Sequence, residues 1–363
     1  MPDSHPNPVS HGSSGTMPGA PGVGAGELPP LTWGTMGRFF GVPLIIITTI
    51  VGGAVMVVFL FGGPSAPRER SIEELLQVLK SNNGARSAGV LLPREKELWQ
   101  AALELSERFK KKEVELTHEQ IQDAANQLSE MVREDFTHID TITAFDTGVL
   151  DAQREARSRR FEFLMRALAR TGVSIAVPPL VEIIKGGREP FVGIAIQQLG
   201  ELHGLPEARS ACGMVLKAMN SSQRPETKVV SCVVLSLLAE KGDAAVIEAL
   251  ADARVKHDGE VAWNAALAMA RLGSASGKGT LLDMLDRGYW EKGERYEKVD
   301  ASGMVLRYPM PAGRTDALMS AAIDAVSNLQ DPELWGAIDR LQSDRSLVVR
   351  GRAKAAMERR SGL

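Results

Sequence analysis

The chain has 363 residues, with 42 Lys and Arg against 45 Asp and Glu and a net charge of -3. That length suits one large domain or two ordinary ones, and the charge balance excludes a global electrostatic pull toward nucleic acid. Aromatics are scarce at 5% while Ala, Leu, Val, Glu and Arg abound, which predicts many helices packed through small and aliphatic side chains. Cys212 and Cys232 form no CxxC pair and sit in apolar runs, so structural zinc and haem attachment are not expected and buried free thiols are.

Residues 1–38 are rich in Pro, Gly, Ser and His, a composition that cannot offset its own ordering entropy, so a disordered tail is expected. The run from Phe39 to Phe61 follows, and no charged residue lies between Arg38 and Arg68. Fifteen of its side chains are Ile, Leu, Val or Phe, each favouring insertion by ~0.3–0.6 kcal/mol. This predicts a single transmembrane helix and a bilayer as one partner; a signal peptide would be shorter and follow a basic stretch. Thr48 with Gly52 and Thr49 with Gly53 place small residues four apart, which reads as ordinary usage in membrane helices, close approach of two such helices being the alternative. Arg38 on one side against Arg68, Arg70 and Lys80 on the other favours a cytoplasmic helical domain, an exoplasmic one being the alternative.

After a linker at 62–70, residues 71–172 form the helical first part of the domain. Ser71-Ile-Glu-Glu74 and Thr117-His-Glu-Gln120 have the capping-box form that marks helix starts. Leu98, Ala102, Leu105 and Phe109 share one helical face, and so do Ile121, Ala125, Leu128 and Val132.

Over residues 173–363 a repeat emerges on aligning FVGIAIQQLG, VVSCVVLSLL, VAWNAALAMA, LMSAAIDAVS and VVRGRAKAAM. The anchors are Val192, Val230, Val261, Leu318 and Val349; four residues on come Ile196, Val234, Ala265, Ala322 and Ala353, then Leu199, Leu237, Ala268, Ala325 and Ala356. Successive anchors lie 38, 31, 57 and 31 residues apart, so the long interval reads as one unit with an insertion, at about 287–313. Each aligned helix follows another amphipathic one, such as that begun by Asp331-Pro332, an N-cap with proline in the first turn. Such hairpins bury their apolar faces only by stacking.

These units resemble the HEAT family, in particular the short bacterial repeats related to phycobilisome lyases. The last unit is most similar: Asp344 precedes Val349-Arg350, then Ala353 and Ala356. The resemblance implies an all-α fold, an α-solenoid of stacked helical hairpins, in which that Asp and Arg ladder adjacent repeats. Here Gly193, Ser231 and Ala262 stand where Arg350 would, so the ladder is largely absent. The insertion departs from the family. Its RYEKVDASGMVLRYP reads as two short strands about an Asp-Ala-Ser-Gly turn, with Tyr296, Val299, Val305 and Tyr308 as candidate packing or interaction residues.

The sequence carries no HExxH, no GxSxG and no Cys/His pairing, so no catalytic, metal or cofactor site is expected. Gly273 to Thr280 has the residues of a phosphate loop at the wrong spacing and reads as a turn between helices. Two basic stretches stand out: Arg154, Arg157, Arg159, Arg160, Arg166 and Arg170, and then Arg345, Arg350, Arg352, Lys354, Arg359 and Arg360. Interspersed acids suggest solvated helix faces, an acidic protein or anionic lipid being the alternatives, while the lack of interleaved aromatics argues against single-stranded nucleic acid. With Arg345, Arg350, Arg352 and Lys354 joined to the hairpin residues as a candidate interaction surface, the reading is a membrane-tethered, non-enzymatic scaffold for a protein partner. A lyase-like or other protein-modifying activity is the alternative that the family's name implies.

Overall fold

Side-chain caps open several of the helices. The computed structural model of the protein describes residues 70–80, 93–111, 116–138, 148–292, 295–299 and 304–362. Helix α1 (Ile72–Lys80) opens on a reciprocal box: Glu74 N donates to Ser71 Oγ at 3.1 Å and Ser71 N to Glu74 Oε2 at 3.0 Å. Thr117 and Gln120 repeat that exchange at the start of α3 (His118–His138). Between them, α2 (Pro93–Lys111) buries Leu98, Ala102, Leu105 and Phe109, and α3 buries Ala125, Leu128 and Val132 with Ile121 half-buried. Both stripes recur every three to four residues because that spacing returns a side chain to the same helix face.

The chain then runs through α4 (Gly148–Arg170), α5 (Val177–Gly186), α6 (Phe191–Glu201), the short α7 (Pro206–Ser210), α8 (Cys212–Ser221), α9 (Pro225–Leu238), α10 (Ala244–Lys256), α11 (Gly259–Arg271) and α12 (Lys278–Leu285). A short α13 (Arg287–Glu291), the strands β1 (Tyr296–Val299) and β2 (Val305–Tyr308), and α14 (Ala312–Val326), α15 (Pro332–Arg340) and α16 (Leu347–Ser361) complete it. The fold is all-α, the described strands forming one antiparallel ribbon with Tyr296 opposite Tyr308 and Val299 opposite Val305.

Two layers result. Helices α4, α6, α9, α11, α14 and α16 pack side by side in that order, while α3, α5, α8 and α10 follow one another in the other layer, as do α12 and α15. Across the layers α5 packs on α6, α8 on α9, α10 on α11, α12 on α14 and α15 on α16. No hairpin could bury its apolar face alone, since each face is closed only by its neighbours.

The core divides at α11. Val261, Ala265, Ala268, Met269 and Leu272 join the apolar cluster that runs back to Ile72, whereas Trp263, Ala266, Leu267 and Ala270 join one that runs on to Ala356. A helix flanked on both sides must be apolar nearly all round, and every residue from Ala265 to Ala270 is buried. Small residues let the backbones approach: a methyl on Gly277 would sit 2.9 Å from the Cα of Ala266.

In α9 the repeat register is shifted by one residue from the sequence alignment. Val234 is buried as expected, but Leu237 is 42% exposed and Val230 half-buried, while the next residues along, Ser231, Leu235 and Leu238, are buried. Ser231 tolerates an apolar site because its hydroxyl donates to the Thr227 carbonyl of its own helix at 2.7 Å; a buried hydroxyl is costly only when unpaired.

The expected single-pass membrane localisation is corrected: among the described residues no helix is long and apolar enough to cross a membrane. Length alone does not suffice, since the 19, 21 and 23 residues of α2, α3 and α4 are interrupted by charged side chains, which a bilayer core penalises. The segment Phe39 to Phe61 that carried the expectation, the tail at 1–38 and the linker up to 69 lie outside the described residues. The cytoplasmic placement of the helical domain falls with the membrane localisation.

Candidate interaction surface

The insertion and the last hairpin meet around a buried ionic cluster. Asp286 caps α13 by accepting from Gly288 N at 2.9 Å, which directs Arg287 toward α14 and the loop before α16. Arg287 Nε and Nη2 donate to the two carboxylate oxygens of Asp344 at 2.8 and 2.7 Å, and Nη2 also donates to Asp316 of α14 at 2.8 Å. Ser346 completes the set, its hydroxyl donating to Asp316 at 2.7 Å and its N–H to Asp344 at 2.7 Å. The side chain of Asp344 is only 5% exposed and that of Arg287 13%. Burial works against ionisation of Asp344, but the Arg287 guanidinium and the Ser346 N–H outweigh it and hold the carboxyl below its ordinary range. The guanidinium is in turn held more firmly protonated by Asp344.

An aromatic group lies beside it. Trp290 of α13 is 1% exposed, meets Trp263 of α11 edge-on at 4.8 Å and donates from Nε1 to the Met284 carbonyl at 3.0 Å. Trp263 Nε1 donates to the hydroxyl of Tyr289 at 3.2 Å, and Arg295 stacks over the Tyr289 ring at 3.7 Å. Arg314 covers Tyr296 at 5.1 Å and pairs with Glu260 of α11. The root of the β-ribbon is therefore fixed to α11 and α14 by buried indole and cation–π contacts.

The expected surface residues are divided by this arrangement. Tyr296 is half-buried against the second core cluster, while Tyr308 is 42% exposed. Val299 and Val305 pair across the ribbon through their backbones, and the turn at 300–303 lies outside the described residues. Arg350 is turned inward, donating to the Asp344 carbonyl at 3.2 Å. Arg345 is exposed and pairs with Glu291 of α13, Arg352 pairs with Asp324 of α14 at 2.7 Å, and Lys354 is exposed. Asp344 reaches Arg287, which the alignment places inside the insertion, so the rung between the last repeats comes from an arginine outside the repeat pattern.

Sequence reasoning missed Arg287, Asp316, Trp290 and the exposed pair Leu347 and Val348, which are 75% and 65% exposed. A tryptophan inside a presumed surface insertion is the signal that would have found the second core cluster. Leu347-Val348-Val349 is a second such signal, since one helix face cannot bury three consecutive residues.

The basic stretch of α4 is drawn into structure. Arg160 pairs with Asp135 of α3 at 3.3 Å and Arg170 with Glu107 of α2 at 2.9 Å, while Arg159 and Arg166 pair within α4 with Glu155 and Glu162. Burial raises the Asp135 carboxyl despite Arg160. The thiols are free, Cys212 half-buried and Cys232 buried with its pKa pushed up to about 12 by that burial. Among the described residues no three His, Cys, Asp or Glu side chains converge to hold a metal ion. A cleft of about 260 Å³ lies near α1 and α3, lined by Ile72, Leu76, Leu116 and Ala124, and a more open one of about 470 Å³ lies against α8, lined by Gly213, Leu216, Lys217, Asn220 and Ser221.

No protein-family model matches the sequence, and no curated protein does. Among solved structures the chain is similar to human deoxyhypusine hydroxylase in complex with glycerol, at 14% identity over 80% of this chain and 96% of that one, with a TM-score of 0.28. At that score the likeness carries no argument about fold or activity, which rest here on the packing and side-chain geometry of the chain itself.

Proposed function

We propose that the chain is a HEAT-like α-solenoid that acts as a non-enzymatic scaffold, binding a protein partner on the surface of its stacked hairpins. The observation that supports this reading is the two-layer succession of helices, each hairpin closed by the next. Such stacks present extended surfaces on which recognition is spread over several repeats. The β-ribbon adds an edge element held at its root by Tyr289, Tyr296 and Arg314, with Met304 and Tyr308 58% and 42% exposed. The test is affinity capture with the full chain and with a variant in which a short Gly-Ser linker replaces residues 295–309. A specific protein recovered by the full chain supports the scaffold reading; recovery of none by either form counts against it.

A further inference from the structure

We propose that the outward face of α16 docks an acidic amphipathic helix of a partner protein, laid against the end of the stack as its next layer. This rests on the protein-binding reading above. Helix α16 packs on α14 and α15 through Val349, Ala353 and Ala356, all fully buried. Among the described residues no helix packs on its opposite face. An outer face in water is ordinarily polar, yet Leu347 and Val348 stand exposed at 75% and 65%.

Leu347, Gly351 and Ala355 follow one another at four-residue intervals, the ridge along which a second helix packs at 8–10 Å. A methyl on Gly351 would meet nothing within 4 Å, so a partner helix can approach the backbone closely there. Charge decides what kind of helix. The segment from Leu347 to Ser361 carries Arg350, Arg352, Lys354, Arg359 and Arg360 against Glu358 alone, within a chain whose net charge is -3. Arg352 is shared with Asp324, Arg350 turns inward and Arg360 lies over the Trp335 ring, but Lys354 and Arg359 are exposed further along the helix from the apolar pair. A second copy of α16 would bring the same cations face to face. The N-terminal 69 residues offer only Asp3, Glu27 and Glu69 as acids. An acidic helix with an aliphatic stripe matches both the charge and the apolar contact.

The test is selection from a phage-displayed library of helical peptides on the full chain, followed by binding titrations. The expected result is peptides with an aliphatic stripe flanked by Asp and Glu. Their affinity should fall at least tenfold for Leu347→Ser/Val348→Ser, for Lys354→Glu/Arg359→Glu and for Gly351→Leu, all at exposed positions where the change does not lower the thermal melt. Neutral or basic selected peptides, or no selection at all, would overturn the proposal. Sedimentation showing a dimer that Gly351→Leu dissolves would overturn it in favour of a second copy. Peptides whose binding survives every α16 change but needs residues 295–309 would overturn it while leaving the scaffold reading standing.

Discussion

Replacing Arg287 with methionine tests whether the insertion holds the last hairpin in place. The guanidinium makes three charge-assisted hydrogen bonds to Asp344 and Asp316, and its loss leaves the 5%-exposed Asp344 carboxylate without its cation. Removing one partner of a buried pair typically costs about 3–5 kcal/mol. Asp316 is 22% exposed and regains water, so about 3 kcal/mol is the working figure. At roughly 2–4 °C per kcal/mol for a domain of comparable size, the melting midpoint should fall by about 6–12 °C. Amide exchange should rise first in α15 and α16, the elements that the cluster ties back to α14. A cycle with Asp344→Asn should show coupling, because the double variant no longer buries an unpaired charge. The carboxyl of Asp344 is held below its ordinary value of 3.8, so its contribution is present above that value and is lost as pH falls through the lower folded-state pKa. The acid limb of the stability curve should therefore be flatter in Arg287→Met. A loss under about 1 kcal/mol with unchanged exchange in α15 and α16 would refute the reasoning.

Trp290→Ala should cost about 3–5 kcal/mol, measured by urea denaturation, since it empties a site that is 1% exposed beside Trp263. Gly277→Ala and Gly351→Ala should differ in sign: the first forces a methyl to 2.9 Å from the Ala266 backbone and should destabilise by about 1–3 kcal/mol. The second meets open space in a helix and should stabilise by up to about 1 kcal/mol; equal effects would contradict the packing at α11. A thiol reagent should modify the half-buried Cys212 before Cys232, whose burial raises its pKa to about 12. Cys232 should react only on unfolding, with mass spectrometry reporting the order.

Local rules were legible where they act alone. The boxes at Ser71 and Thr117 and the cap at Asp331 depend on side chains within three residues of the backbone they satisfy, and the structure places each at a helix start. The apolar stripe of α2 followed from periodicity for the same reason. The register of α9 did not, because an apolar pattern prefers Val230 to Ser231 and cannot see a hydroxyl that satisfies itself on the Thr227 carbonyl. Arg287 lay further out of reach: its partners are 29 and 57 residues away, and the repeat alignment set it aside as insertion. Leu347 and Val348 have no place in the repeat pattern, which reads only Val349, Ala353 and Ala356 in that helix. Among the described residues no helix packs over them, so they stand exposed.

Site-specific photo-crosslinking addresses the scaffold reading most directly. A benzophenone side chain placed in the full chain at Val348, at Tyr308 and at the exposed Lys217 of α8 reports contact within a few ångströms of each position. The account predicts a discrete protein adduct from position 348 or 308, reproducible and lost in Leu347→Ser or on removal of residues 295–309 respectively, and none from 217. Discrete adducts at no position on the stack, or the same adduct from all three, would contradict it.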